Sequence, residues 1–246
     1  MPELKSYPVW DVPTRWFHWI NVLCVIGLIA IGVVILNAKV LGVTSDGKIT
    51  LKVVHVWIGY CFAINLLWRF VWAFVGNRYA RWREMVPGGA GYWRSLTSYV
   101  ASLAAGQPRQ FLGHNPLARI SVSVLFLLLA IQAISGLVLA GTDIFYPPIG
   151  AWIAEWVAAP GIDPATLKPY SPHMYAEAAW ESMRAFRKPF ITAHYYSFYA
   201  IVVMIVLHIA AVVVTELKEG GGIVSAMFTG RKVFSGKPED EPREES

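Results

Sequence analysis

The stretch ITAHYYSFYAIVVMIVLHIAAVVVT, residues 191–215, decides the fold, because it contains no Asp, Glu, Lys or Arg. In a helix rising about 1.5 Å per residue, a run of this length reaches through a hydrocarbon layer about 30 Å thick. Lipid offers backbone amides no partner, so helix is the reading; a barrel would show short alternating segments instead. Three comparable runs precede it, approximately Trp16–Leu36, Val53–Val75 and Ile120–Ala140. Composition agrees: of 246 residues 56% are hydrophobic and 15% charged, with a mean hydropathy of +0.47. That excludes an ordinary soluble domain. The expected fold is an all-α integral membrane protein, a bundle of four transmembrane helices.

The loops are expected near 37–52, 76–119 and 141–190. The middle one carries Arg78, Arg81, Arg83, Arg94, Arg109 and Arg119 against Glu84 alone, whereas the long one sets Lys168, Arg184, Arg187 and Lys188 against five acids. The positive-inside rule therefore assigns the middle loop and both termini to the cytoplasm. A net charge of +5 with no long basic tract reports loop placement and excludes nucleic acid as a partner. Cys24 and Cys61 lie in apolar runs outside any Cys-x-x-Cys-His pattern, which excludes a disulfide framework and covalent c-type haem. The first apolar run is too long for a cleaved signal and is read as a retained helix. Residues 1–220 are expected to form one membrane domain and 221–246 a cytoplasmic tail, whose end PEDEPREES (238–246) is expected to be unstructured.

Of six histidines, His18, His55, His194 and His208 fall within the apolar runs. An ionisable side chain there is costly and marks function, and neutral imidazole is an axial ligand of haem iron. Given the orientation above, His55 and His194 lie near the outer face, His18 and His208 toward the cytoplasm. His208 follows His194 by 14 residues, which is roughly 21 Å of helix and a return to within about 40° of the same face. The fourth helix can thus serve two stacked cofactors, His55 with His194 around an outer b haem and His18 with His208 around an inner one. Two axial histidines close the iron to further ligands and favour electron transfer over substrate chemistry, so no catalytic side chain is assigned.

Arg69 lies 14 residues after His55, at the level of the inner haem. A propionate would satisfy it, and snorkelling to the interface is the alternative. Arg15 is a second propionate candidate, or a topology anchor. Gly27, Gly32, Gly59 and Gly136 suit close approach of a flat macrocycle or of another helix. Trp16, Trp19, Trp57, Trp68 and Trp72 read first as interfacial anchors. His114, followed by Asn115 and Pro116, reads as helix-start chemistry, while Asn65 and Gln132 are polar groups near mid-span.

Four pieces of the chain, RWFHW (15–19), HVWIG (55–59) with WAFVGNRYAR (72–81), GHNPL (113–117), and the pair His194 and His208, resemble the bacterial cytochrome b561 and nickel-iron hydrogenase b-type cytochrome family. The resemblance implies haem ligation by His18, His55, His194 and His208, in agreement with the helix geometry. It further implies a subunit of the bacterial inner membrane that exchanges electrons between a periplasmic redox partner and the quinone pool. Ala193 and Tyr195 replace the Trp and Arg that flank this ligand in hydrogenase-type members. The expected partner is accordingly a hydrogenase, another dehydrogenase or a multihaem cytochrome c.

The long loop, rich in Trp152, Trp156, Tyr170, Tyr175 and Trp180, is expected to form short helices at the outer interface that cover a haem and offer a docking surface. The arginine-rich loop suits anionic headgroups of membrane lipid. Two rival readings follow from the same residues. One is a free-standing quinone-reducing cytochrome; the other is a transporter whose histidines bind an ion or relay protons.

Overall fold

The computed structural model describes residues 4–241, so the last residues of the expected disordered end lie outside the description. Chain order is β1 (Lys5–Pro8), α1 (Val12–Leu36), α2 (Ser45–Val75), α3 (Trp82–Met85), α4 (Tyr92–Ala104), α5 (Pro116–Ile144), α6 (Gly150–Val157), α7 (Glu177–Glu219), α8 (Ile223–Thr229) and β2 (Arg231–Phe234). Four of these, α1, α2, α5 and α7, are long and apolar enough to cross a membrane. Their large apolar side chains point outward along much of their length, for example Leu23, Ile64, Leu127 and Val206, each more than 60% exposed. Lipid is the solvent such a surface requires.

Each helix start has a local cause. Asp11 Oδ1 accepts the Thr14 amide at 3.0 Å, with Pro13 in the first turn of α1. Thr44 Oγ1 accepts the Gly47 amide at 3.1 Å ahead of α2, and Asp46 suits its positive end. Asn115 Oδ1 accepts the Ala118 amide at 2.8 Å and Pro116 opens α5, the helix-start chemistry read from the sequence.

The spans are longer than hydropathy alone marks. α2 begins at Ser45 instead of Val53, and α7 at Glu177 instead of Ile191, so the last part of the expected 141–190 loop is helix. At 43 residues α7 is about 64 Å long, and Pro189 lies inside it. Hydropathy reports which part of a helix suits lipid. The preceding EAAWESMRAFRK (177–188) is polar yet rich in strong helix formers, and carries the helix onward.

The chain divides into two compact units. The first comprises the described parts of Met1–Trp19, Leu66–Leu127 and Ile201–Ser246. Here β1 and β2 pair antiparallel, Lys5 opposite Phe234 and Pro8 opposite Arg231. Tyr7, Val9, Tyr79, Leu112 and Phe234 form a small core against Trp10. Residues 221–241, expected as a tail, fold into this unit. Asp240 accepts the Leu112 and Gly113 amides at 2.6 and 2.8 Å, and buried Lys232 donates to the Phe111 and Gly113 carbonyls at 3.1 and 3.2 Å. Burial pushes the Lys232 ammonium down to about 8, with Asp240, Glu219 and Glu216 opposing.

The second unit comprises Ile20–Asn65 and Leu128–Ala200. Asp143 of α5 accepts from both Lys52 of α2 and Arg187 of α7, all three being largely buried. Between α5 and α7, α6 and two single-turn helices pack Ile153, Val157, Tyr175 and Met183 into a core, with Tyr175 stacked on Trp180 at 4.2 Å. The expected short helices are present in this segment.

Asp143→Ala leaves two poorly solvated cations unmatched and is expected to lower stability by about 3 kcal/mol. Lys52→Met, which leaves Arg187 on Asp143, should cost less than about 1 kcal/mol; chemical unfolding in micelles measures both. Asp11 gives a pH dependence. Burial raises its carboxyl, but hydrogen bonds from Thr14, Asn77 and Trp72 outweigh that and hold it below the ordinary 3.8. Its contribution is therefore complete above the unfolded value and disappears as pH falls through the lower folded one. Unfolding midpoints recorded from about pH 5 downward should fall less steeply in Asp11→Asn than in the parent.

Candidate functional site

In the second unit α2 carries His55 and α7 carries His194, with ring centroids 6.4 Å apart and planes at 69°. An imidazole–metal–imidazole axis, with bonds of roughly 2 Å on each side and half a ring beyond each nitrogen, spans a separation of this size. Gly136 lets the His194 ring sit closer to α5 than a side chain would comfortably allow, whereas a side chain at Gly32 would meet His55 at ordinary contact distance. A Cβ on Gly32 would lie 3.5 Å from His55 Cε1, and one on Gly136 would lie 3.3 Å from His194 Cε1. Gly27 instead faces Ile58, as helix packing requires, and Gly59 faces open space.

The hydrogen bonds around His194 fix its tautomer. Ser135 donates its hydroxyl proton to the Ile131 carbonyl at 2.6 Å, so the 3.1 Å contact with His194 is a bond donated by Nδ1–H to Ser135 Oγ. Nε2 then holds the lone pair, which accepts from Gln132 Nε2 at 3.0 Å, while Ser197 donates to Gln132 Oε1 at 2.5 Å. The nitrogen able to bind a metal is thus singled out by the protein's own network. Sequence reading placed Gln132 near mid-span without finding this contact, and missed Ser135 and Ser197. Their signal was positional: residues 132 and 135 share one face of α5, one helical turn apart. His55 Nδ1 is buried without a hydrogen-bond partner.

The first unit holds His18 and His208 as electrostatic neighbours, and His18 Nδ1 is likewise buried and unpartnered. Arg69 is 2% exposed, so it remains inside the unit and does not snorkel. Its Nη2 donates to the Ala80 carbonyl at 2.9 Å, and its guanidinium lies 5.8 and 5.6 Å from the Phe17 and Phe126 rings. Nη1 is buried with no partner, and Asp11 acts on the group electrostatically. Arg15 Nη1 donates to the Phe228 carbonyl, while its Nε is buried and unpartnered.

His114, read only as part of a helix start, lies 5.0 Å from the Trp10 ring, and its Nδ1 is buried without a partner. Burial, reinforced by Lys232, Arg69, Arg119 and His208, pushes its pKa down to about 3. The tryptophans divide by exposure. Trp16, Trp57 and Trp68 are 65%, 60% and 46% exposed, as membrane anchors would be. Trp19 instead donates to the Met227 carbonyl at 3.0 Å and Trp72 to Asp11 at 3.0 Å. Among the described residues no three His, Cys, Asp or Glu side chains gather as a metal cage. The candidate ligands are the His55–His194 ring pair of the second unit and, in the first, His18 and His208.

The chain is similar to a protein of Rhizobium leguminosarum bv. viciae described as "Probable Ni/Fe-hydrogenase B-type cytochrome subunit", 27% identical over 240 residues that cover 94% of this chain and 91% of that one. A protein of Cupriavidus necator with the same description is 25% identical over 94% of this chain and 89% of its own length. The corresponding hydrogenase 1 subunit of Escherichia coli K12 is 34% identical over 149 residues, 56% of this chain and 61% of that one. No solved structure matches. The family model described as prokaryotic cytochrome b561 matches residues 9–230, and the chain belongs to that family.

Proposed function

We propose that this membrane cytochrome is a di-haem electron-transfer subunit, in which His55 with His194 and His18 with His208 each hold one b-type haem. The observation that carries the reading is the His55–His194 pair, 6.4 Å apart, with the His194 lone pair assigned to Nε2. The residues fit the group on three counts. Both pairs are imidazoles in apolar helices, Gly32 and Gly136 lie against the rings, and the buried Nη1 of Arg69 and Nε of Arg15 are donors suited to carboxylates such as propionates.

The bound iron supplies reversible one-electron transfer; the protein supplies position and tuning. Ser135, accepting from His194 Nδ1–H, orients that ring and raises the basicity of Nε2. Gln132, itself held by Ser197, donates its amide to that lone pair in the unloaded protein and would have to turn its N–H aside for iron to take its place at His194 Nε2. Arg69, anchored through Ala80, leaves its buried Nη1 available to a carboxylate of the group. The positive-inside rule supports a cytoplasmic middle loop and cytoplasmic termini in a bacterial inner membrane. The descriptions of the relatives favour a nickel-iron hydrogenase over a multihaem cytochrome c as the partner; the quinone pool, which the family resemblance implies, is the other electron carrier in this reading.

The purified protein is expected to contain two haems per chain with a reduced bis-histidine spectrum. His55→Ala or His194→Ala should lose one haem, and His18→Ala or His208→Ala the other. A folded, colourless parent protein would end the proposal in favour of a transporter. Ser135→Ala should keep both haems and move one potential positive by roughly 40 mV, the equivalent of about 1 kcal/mol of hydrogen bonding in a one-electron couple; a redox titration measures it.

A further inference from the structure

We propose that the segment following α2 contains a binding site for the phosphate of an anionic phospholipid. Arg78, Arg81 and Arg83 line one cleft of about 360 Å³ in the first unit, with Glu84 as the acid among its lining residues. That acid is weakly engaged, 3.7 Å from Arg78 Nε in a half-exposed pair, so the cleft keeps an excess of positive charge. The cleft is built rather than a chance of flexible side chains. Arg81 Nε donates to the Gly76 carbonyl at 2.9 Å, and Asn77 Oδ1 accepts the Ala80 amide at 3.0 Å to fix the turn carrying Arg78. Trp82, between Arg81 and Arg83, packs its ring 4.9 Å from Phe70 and 6.4 Å from Phe74.

Those phenylalanines tie the arginines to the end of a candidate membrane span. Along α2, Leu67, Val71, Phe74 and Val75 are 65%, 50%, 72% and 64% exposed, and their spacing places them on one helical stripe. The stripe ends at Val75, three residues before Arg78. An apolar strip on a span, leading into a cationic cleft at its end, matches an acyl chain below a phosphate. Free phosphate would use the cleft and ignore the strip, which is why a lipid is the occupant assigned. Topology requires only that the loop be basic; it does not require three of its arginines to share a cleft.

The test is native mass spectrometry of the full-length protein in detergent, with phosphatidylglycerol or phosphatidylcholine added. The parent should retain one phosphatidylglycerol at least tenfold more than phosphatidylcholine. Arg78→Gln with Arg83→Gln, which keeps the Arg81 bond to Gly76, should remove most of that preference while the unfolding midpoint stays put. Relocating a charge, Arg83→Gln with Ala90→Arg, preserves the loop's net charge and should still weaken retention severalfold. Equal retention of the two lipids by the parent overturns the site. So does a relocation variant that binds like the parent, since diffuse charge would then suffice. Displacement of the lipid by inorganic phosphate at millimolar concentration would reassign the cleft to a free anion and also overturn the lipid assignment.

Discussion

A polar ring nitrogen in a lipid-crossing helix must find a partner inside the protein, and the rest of this structure is arranged around that demand. A neutral imidazole has one donor and one acceptor. His194 satisfies both, with Ser135 on one side and Gln132 on the other. His18 and His55 leave buried Nδ1 atoms without a partner. Unmatched polar atoms are expensive in a low-dielectric interior and concentrate where a ligand completes the bonding.

The two units meet the demand by different means. In the second, the ion pairs of Asp143 with Lys52 and Arg187 join residues of α2, α5 and α7, while the packed α6 segment forms a core beside them. In the first, short elements contribute more. Asp11 gathers Thr14, Trp72 and Asn77, and Asp240 and Lys232 grip the backbone at Leu112 and Gly113 from the far end of the chain. His114 follows Gly113, and its ring lies beside Trp10.

What could be read from the sequence followed the periodicity and length rules of single helices. The four spans and the Asn115 start of α5 depend on local spacing or on membrane length, and the nearness of His55 to His194 on the order in which the spans cross. The boundaries were legible only where lipid ends, so the polar beginning of α7 escaped notice. Pairing of Lys5–Pro8 with Arg231–Phe234 depends on register between segments more than 220 residues apart, which no local pattern encodes. The Ser135–His194–Gln132–Ser197 network was hidden for another reason. Serine and glutamine in a span are ordinary on their own, and acquire meaning only when the neighbouring helix brings an imidazole within 3.1 Å. Arg69 was legible as a buried cation but not as a fixed one, because its anchor is a backbone carbonyl at Ala80.

The central claim is that both histidine pairs clamp iron axially. Low-temperature electron paramagnetic resonance of the oxidised, purified protein tests it most directly. The account predicts two low-spin ferric signals and no high-spin signal; a high-spin iron with an open axial position, or a folded protein with no iron signal, would contradict it.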